Sequence, residues 1–370
     1  MNTHATGMHR PPTTSGPAPV LVDFTHMSGR ALTGLERITL ELFSPQALSP
    51  LPVEPVGAPF PGLAGLVAGQ YISLPLRLQR EARAILLCPG FPPSPPLLRY
   101  GERVIPYIHD LFLLTRPQDL SRKARLYMAP AFRRTIERLP RFFANSRTTA
   151  AELARHARPD AEIILYRPQV RNVFGLSPEG RNERPAPDTR LRLAAMGTLE
   201  PRKNHVAAAD ILRELRRNFF PEATLDIIGR EGWGDVADKL RGRPGVRLRG
   251  HLPDAEVRRI LQAADIFIST SHDEGLGLPL LEVQYAGLPV IASDIPVFRE
   301  VLEDSGTFIA PSDPYLAALR IFTMVRQEGW RARHAERARA NIRRWNALAE
   351  GDRRRATALL VRLAGEKGED

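Results

Sequence analysis

The sequence predicts an α/β protein of two doubly wound domains, each a parallel sheet covered by helices. Three observations carry that reading. Short apolar runs alternate with helical patterns along the chain, which implies parallel strands joined by crossover helices. The 370 residues exceed one ordinary core and suit two domains of roughly 150–200 residues each. A polar stretch with three prolines, residues 177–188, separates the pattern into halves.

In the first half, residues 20–23, 84–87, 104–108, 142–144 and 162–165 read as buried strands, and 34–42, 121–139 and 148–156 as helices. In the second half, 191–196, 224–228, 246–249, 266–270, 290–292 and 307–309 read as strands, with helices over 204–217, 254–263 and 279–286. The division that follows is a disordered leader (1–18), a first domain (19–176), a linker (177–189), a second domain (190–345) and a C-terminal helix (346–370). The leader is polar and rich in Pro and Thr, with no apolar stretch for a signal peptide. Residues 55–76 carry no charge and must be tested as a membrane span. Pro55, Pro59, Pro61 and Pro75, with Gly57, Gly62, Gly65 and Gly69, break any continuous helix, so the segment reads as a long irregular apolar loop.

Composition narrows the function. A chain 43% hydrophobic and 25% charged is that of a soluble globular protein. The single cysteine, Cys88, excludes an internal disulfide framework and any Cys-rich zinc module, and suits a reducing compartment. The net charge of +11 raises nucleic acid, an anionic membrane or a phosphorylated substrate as partners. That charge is uneven: residues 1–186 hold 23 basic and 14 acidic side chains, residues 187–370 hold 29 and 27. The excess therefore sits in the first domain. No recognised nucleic-acid motif or aromatic stacking array accompanies it.

The densest motif runs from Thr270: T-S-H-D-E-G-L-G-L-P-L-L-E-V-Q-Y-A-G-L-P-V. A strand ends in the turn Gly275-Leu276-Gly277, which lets backbone N–H groups approach a ligand. Pro279 then marks a helix start, whose positive dipole end favours anions. Glu274 lies on the turn. Glu282 lies one turn into the helix, where it can accept two hydrogen bonds from a diol such as a ribose. A second motif, Met196-Gly197-Thr198-Leu199-Glu200-Pro201-Arg202-Lys203-Asn204-His205, also follows a strand and precedes a helix. Its Arg202 and Lys203 can stabilise charge developing on a leaving diphosphate. Lys203 is one of only four lysines among 52 basic residues.

In the first half, Gly34 opens a helix, His109-Asp110 ends a strand, and Asn145-Ser146-Arg147-Thr148 ends another strand and caps a helix. Residues 122–141 carry seven cations against Glu137. With the apolar segments 55–76 and 88–98, this makes a combination suited to an anionic membrane surface or a lipid-diphosphate acceptor.

The spacing Glu274-Gly275-x-Gly277-Leu278-Pro279-x-x-Glu282, followed by Gly287-x-Pro289-Val290, resembles the signature of glycosyltransferase family 4, which has the GT-B fold of two Rossmann-like domains with a cleft between them. The G-T-L-E-P-R-K-N form resembles its mannosyl- and rhamnosyltransferase branch, with Thr198 where the commoner form has an Arg. The resemblance implies a metal-independent, retaining transfer of a hexose, mannose first, from a nucleoside-diphosphate sugar to a saccharide or lipid-linked acceptor in surface-polysaccharide assembly. It implies catalytic roles for His109, Glu274, Arg202 and Lys203, and donor contacts from Gly34, Thr198, Gly275, Leu276, Gly277 and Glu282. It also implies that residues 346–370 pack back towards the first domain. No cofactor beyond the donor, no metal and no nucleic acid are expected. The expected location is cytoplasmic or peripheral on the inner face of the membrane. Two alternatives fit the same residues less fully: a sugar-nucleotide epimerase of this architecture, and a non-enzymatic basic binding module.

Overall fold

The computed structural model describes residues 17–27, 34–116, 124–181, 183–185 and 187–365. Most of the expected leader, residues 1–16, lies outside them. The first sheet is formed by β1 (Val20–Phe24), β2 (Val53–Gly57), β3 (Ile85–Cys88), β4 (Val104–Ile108), β5 (Arg141–Ala144) and β6 (Glu162–Leu165), in the order β2-β1-β3-β4-β5-β6. The second is formed by β7 (Arg192–Met196), β8 (Thr224–Ile228), β9 (Val246–Gly250), β10 (Ile266–Ser269), β11 (Val290–Ser293) and β12 (Gly306–Ile309), in the order β12-β11-β10-β7-β8-β9. Every strand pairing is parallel. Continuous apolar strands such as Ile85–Cys88 and Val104–Ile108 are buried at every residue, as sheets covered on both faces require.

In the second sheet the chain winds outward in both directions from the β7–β10 pair. The segments that follow these two strands therefore diverge to opposite faces and leave a crevice at their C-terminal ends. Both sequence motifs follow these strands, so the topology brings residues 196–205 and 270–279 together.

The C-terminal helix is longer than the sequence suggests, running unbroken from Trp330 to Gly365. Its Ile342 and Trp345 lie in the second domain's core, while Ala356, Leu359, Leu360 and Ala364 lie in the first domain's. Trp345 is fully buried and its Nε1 donates to Pro168 O at 2.9 Å. Ala18, counted with the leader from sequence, is buried and donates its N–H to Ala364 O at 2.9 Å. The segment expected as a linker is docked: Arg181 is 1% exposed, and its guanidinium donates to the carbonyls of Ala286, Ala264 and Leu261.

The irregular loop expected over 55–76 is the clearest correction. The segment contains the end of β2 and then a helical stretch, Gly62–Ala68, a π-helical turn Gly69–Ser73, and Leu74–Arg80. Pro75 falls just after the π-helical turn, the kind of local bulge in which a helix accommodates a residue that cannot donate. The basic helix begins later than expected, at Ala129–Arg138 after a π-helical turn Ala124–Met128, and residues 121–123 lie outside the described residues. The helices Pro296–Leu302 and Pro314–Val325 were not anticipated. Among the described residues, no helix is long and apolar enough to cross a membrane.

Candidate active site

Arg202 and Lys203 sit on a short 3₁₀ turn, Pro201–Lys203. Asn204 then adopts the left-handed conformation (φ 50°) and the helix starts at His205, one residue later than expected. Asn tolerates this backbone better than most residues. The turn is stitched to the other motif: Thr270 Oγ1 donates to Asn204 O at 2.8 Å, and His272 N–H to Arg202 O at 2.9 Å.

These bonds bring the charged groups into one cluster. Lys203 Nζ lies 2.5 Å from Glu274 Oε1, and Arg202 Nη1 lies 2.9 Å from Glu274 Oε2. Ser271 Oγ donates to Glu274 Oε1 at 2.8 Å. Burial alone would push the Glu274 carboxyl up, but Lys203 and Arg202 outweigh it and hold it below the usual carboxylate range. Glu274 therefore stays charged at neutral pH. Burial likewise opposes the charge of Arg202, and Glu274, Glu200 and Asp110 restore it. The Arg202 guanidinium stacks 4.3 Å from the Phe112 ring of the first domain.

Gly277 (φ 87°) leads into the short helix Leu278–Glu282. The Leu276 side chain is in the apolar core, so only its main chain is available to a ligand. Thr198 is half-buried; its methyl would stand 2.7 Å from a Cβ at Gly232, so the two turns are in contact. Glu282 is buried. Its Oε1 meets Arg37 Nη2 of the first domain at 3.1 Å, while its Oε2 has no hydrogen bond among the described residues. Burial raises the Glu282 pKa, and Arg37 only partly offsets that.

The first domain closes the other wall. His109 directly follows β4, and its Nε2 donates to Pro89 O at 2.7 Å. Burial lowers its pKa, so the ring is neutral at pH 7. The backbone of His109, not its ring, makes the close approach to the second domain: a Cβ on Gly275 would fall 2.0 Å from His109 O. Asp110, next along the chain, is pushed up to about 6 by burial, against the pull of Arg202. Gly34 is exposed at the start of its helix with open space beside it, and the preceding residues 28–33 lie outside the described residues.

Sequence reading missed the contacts that join the domains. Ser146 Oγ and Thr149 Oγ1 both donate to Gly275 O, at 3.3 and 3.2 Å. Glu300 of the second domain caps the first-domain helix Arg147–Ala154, accepting from Arg147 N at 2.8 Å, Thr148 N at 2.9 Å and Thr148 Oγ1 at 2.9 Å. Arg167 reaches the same carboxylate at 3.3 Å. Only the Asn-Ser-Arg-Thr cap was visible in the sequence, and its partner lay over 150 residues away. Glu300→Gln removes the charge from this cap and is expected to destabilise the protein by about 1 kcal/mol, read as a lower melting temperature. An unchanged melting temperature would show that the cap contributes nothing.

Among the described residues, no group of three or more His, Cys, Asp or Glu side chains could hold a metal ion. A family model described as "Glycosyl transferases group 1" matches residues 177–345, the part of the chain that holds the cluster. The match spans just under half of the chain and makes its second domain similar to that of the group 1 glycosyltransferases. Its relatives include the O-antigen chain mannosyltransferase B of Escherichia coli, 31% identical over 144 residues covering 37% of each protein. A phosphatidyl-myo-inositol mannosyltransferase of Mycobacterium tuberculosis is 32% identical over 164 residues, 40% of this chain and 42% of that protein. The aligned regions thus span less than half the length of these relatives. A solved structure of sucrose-phosphate synthase from Thermosynechococcus elongatus superposes with a TM-score of 0.72 at 15% identity, over 93% of this chain and all of that one. Both chains share the two-domain GT-B fold. None of these likenesses supports the epimerase or the binding-module alternative.

Proposed function

We propose that the protein transfers mannose from GDP-mannose to a saccharide or lipid-linked saccharide acceptor, with retention of anomeric configuration and without a metal. The observation that carries this is the joined cluster of Lys203, Arg202 and Glu274 in the crevice of the second sheet. Breaking a sugar–phosphate bond moves negative charge onto the departing diphosphate. Two cations fixed in a buried site stabilise that charge without reorganising. Glu274 fixes both cations and offers its carboxylate to the sugar hydroxyls. Glu282 has one oxygen on Arg37 and one without a partner among the described residues, which suits a ribose diol as the missing donor. Main-chain N–H groups of the Gly275–Gly277 turn face the diphosphate. His109 and Asp110 close the cleft from the first domain and limit access of water.

The test begins with thermal stability in the presence of GDP, UDP and their sugars, because a ligand of the folded state raises the melting temperature with its occupancy. GDP-mannose is expected to give the largest shift. Transfer is then followed with labelled GDP-mannose and a saccharide acceptor, and the anomeric configuration of the product is read by NMR. Glu282→Ala is expected to weaken donor binding about tenfold or more, with a larger effect on KM than on kcat, since the ribose contact is made alike in ground and transition states. No stabilisation by any nucleotide, or normal donor affinity in Glu282→Ala, would overturn the assignment of this crevice.

A further inference from the structure

The first domain carries an apolar surface that the donor site does not use. Of the thirteen large hydrophobic side chains exposed among the described residues, six fall within residues 60–76: Phe60, Leu63, Val67, Tyr71, Ile72 and Leu76. The helical stretch from Gly62, which bears five of them, turns its small residues inward. A Cβ at Gly69 would stand 2.5 Å from Thr25 Cγ2, so the backbone lies directly on the turn after β1. Leu74 and Leu78 complete the inward face. The outward face is therefore made of large apolar side chains, whereas a helix facing water alone would place polar residues there.

Charge indicates what covers it. Leu74 and Leu78 share one core cluster with Phe132 and Ile136 of the helix Ala129–Arg138. Both helices thus cover the same face of the first sheet. The outer side of the second helix exposes Arg133, Arg134 and Arg138 against a single acid, Glu137. An apolar stripe beside a cationic rim matches the boundary between headgroups and acyl chains of an anionic bilayer. Nucleic acid fits poorly, because six exposed aliphatic and aromatic side chains would gain nothing against phosphates.

We propose that this face docks on an anionic lipid bilayer, the large side chains of residues 60–76 entering the interface and Arg133, Arg134 and Arg138 meeting the headgroups. Gln70, within the stripe, donates to Asp23 at the end of β1, and Ser94 Oγ donates to Gln70 O at 2.5 Å. These bonds fix the stripe to the edge of the first sheet that faces the cleft, so docking presents the cleft to molecules held in the bilayer. The proposal stands on this surface and does not depend on the transfer reaction.

The full chain is floated through a sucrose gradient with vesicles of phosphatidylcholine alone and of phosphatidylcholine mixed with phosphatidylglycerol. Wild type is expected to float with the mixed vesicles and not with the neutral ones. Leu63 and Ile72 are 78% and 58% exposed, so Leu63→Glu/Ile72→Glu leaves the core intact. That variant is expected to lose partitioning by about tenfold or more. Arg133→Glu/Arg134→Glu is expected to lose the preference for anionic lipid. Thermal unfolding and the nucleotide-induced shift in both variants should match wild type, which separates this test from the donor site. Failure of wild type to float with the mixed vesicles would overturn the proposal, as would variants that float like wild type. A wild-type dimer that Leu63→Glu/Ile72→Glu converts to monomer in sedimentation equilibrium would assign the stripe to a second copy of the chain instead.

Discussion

Lys203→Ala is expected to lower turnover about 100-fold or more, the scale of removing one preorganised group that stabilises transition-state charge. The lysine has two tasks in the cluster. In the proposed reaction its ammonium faces the diphosphate as charge builds there, and in the structure it neutralises Glu274, which it meets at 2.5 Å. Without it, Glu274 keeps Arg202 as its remaining cation while still buried, so its pKa rises and its orientation loosens. Lys203→Arg should not restore the rate. The lysine stem lies on Gly197, where even a Cβ would stand 3.3 Å from its Cδ and Cε, and a planar guanidinium is a poor substitute there. The check is steady-state kinetics with GDP-mannose, in which kcat falls and donor KM changes little. Normal turnover in Lys203→Ala would remove the cluster from the mechanism.

Gly275→Ala should produce a comparable loss by a different route. The added methyl would fall 2.0 Å from the carbonyl oxygen of His109 and 3.1 Å from Asp110 Cβ. The nearest obstacle is backbone on the opposite domain, so no rotamer change relieves it. The domains must part, and the bonds from Ser146 and Thr149 to Gly275 O break with them. Each domain keeps its own core, so the protein should still fold and bind nucleotide. Transfer should fall about 100-fold, because a displacement of an ångström or so suffices to spoil alignment of the reacting groups. Small-angle scattering of the variant should show a larger radius of gyration. Wild-type scattering and activity together would mean that the cleft is not closed during the reaction.

The fold and the candidate site were legible in the sequence to different degrees. The second-domain motifs were readable because their residues lie within two short stretches, each at the end of an apolar strand. The helices Pro296–Leu302 and Pro314–Val325 carry a weaker local signal, a proline in the first turn of each. Residues 62–80 went the other way. Four prolines and four glycines between 55 and 76 argue locally against helix, yet packing on the turn after β1 favours it, and there the glycines permit the close approach. Arg37, Phe112 and Glu300 gave no sequence signal, because their partners are 90 to 245 residues distant and belong to the other domain.

The alternation of apolar strands with helical patterns was enough to determine two doubly wound domains, since a parallel strand demands a crossover and the crossover a buried face. The ordered run Glu274-Gly275-x-Gly277-Leu278-Pro279-x-x-Glu282, followed by Gly287-x-Pro289-Val290, carried the resemblance to the family. Only the tertiary structure decided that Glu274, Arg202 and Lys203 form one cluster, because strand order, not chain order, sets β7 beside β10. It alone decided that Arg37 meets Glu282 across the cleft and that Glu300 caps a helix of the opposite domain. It also decided that the apolar side chains of residues 60–76 face outward. Contacts between distant segments depend on how two cores are set against each other, and a side chain's local sequence carries no record of that.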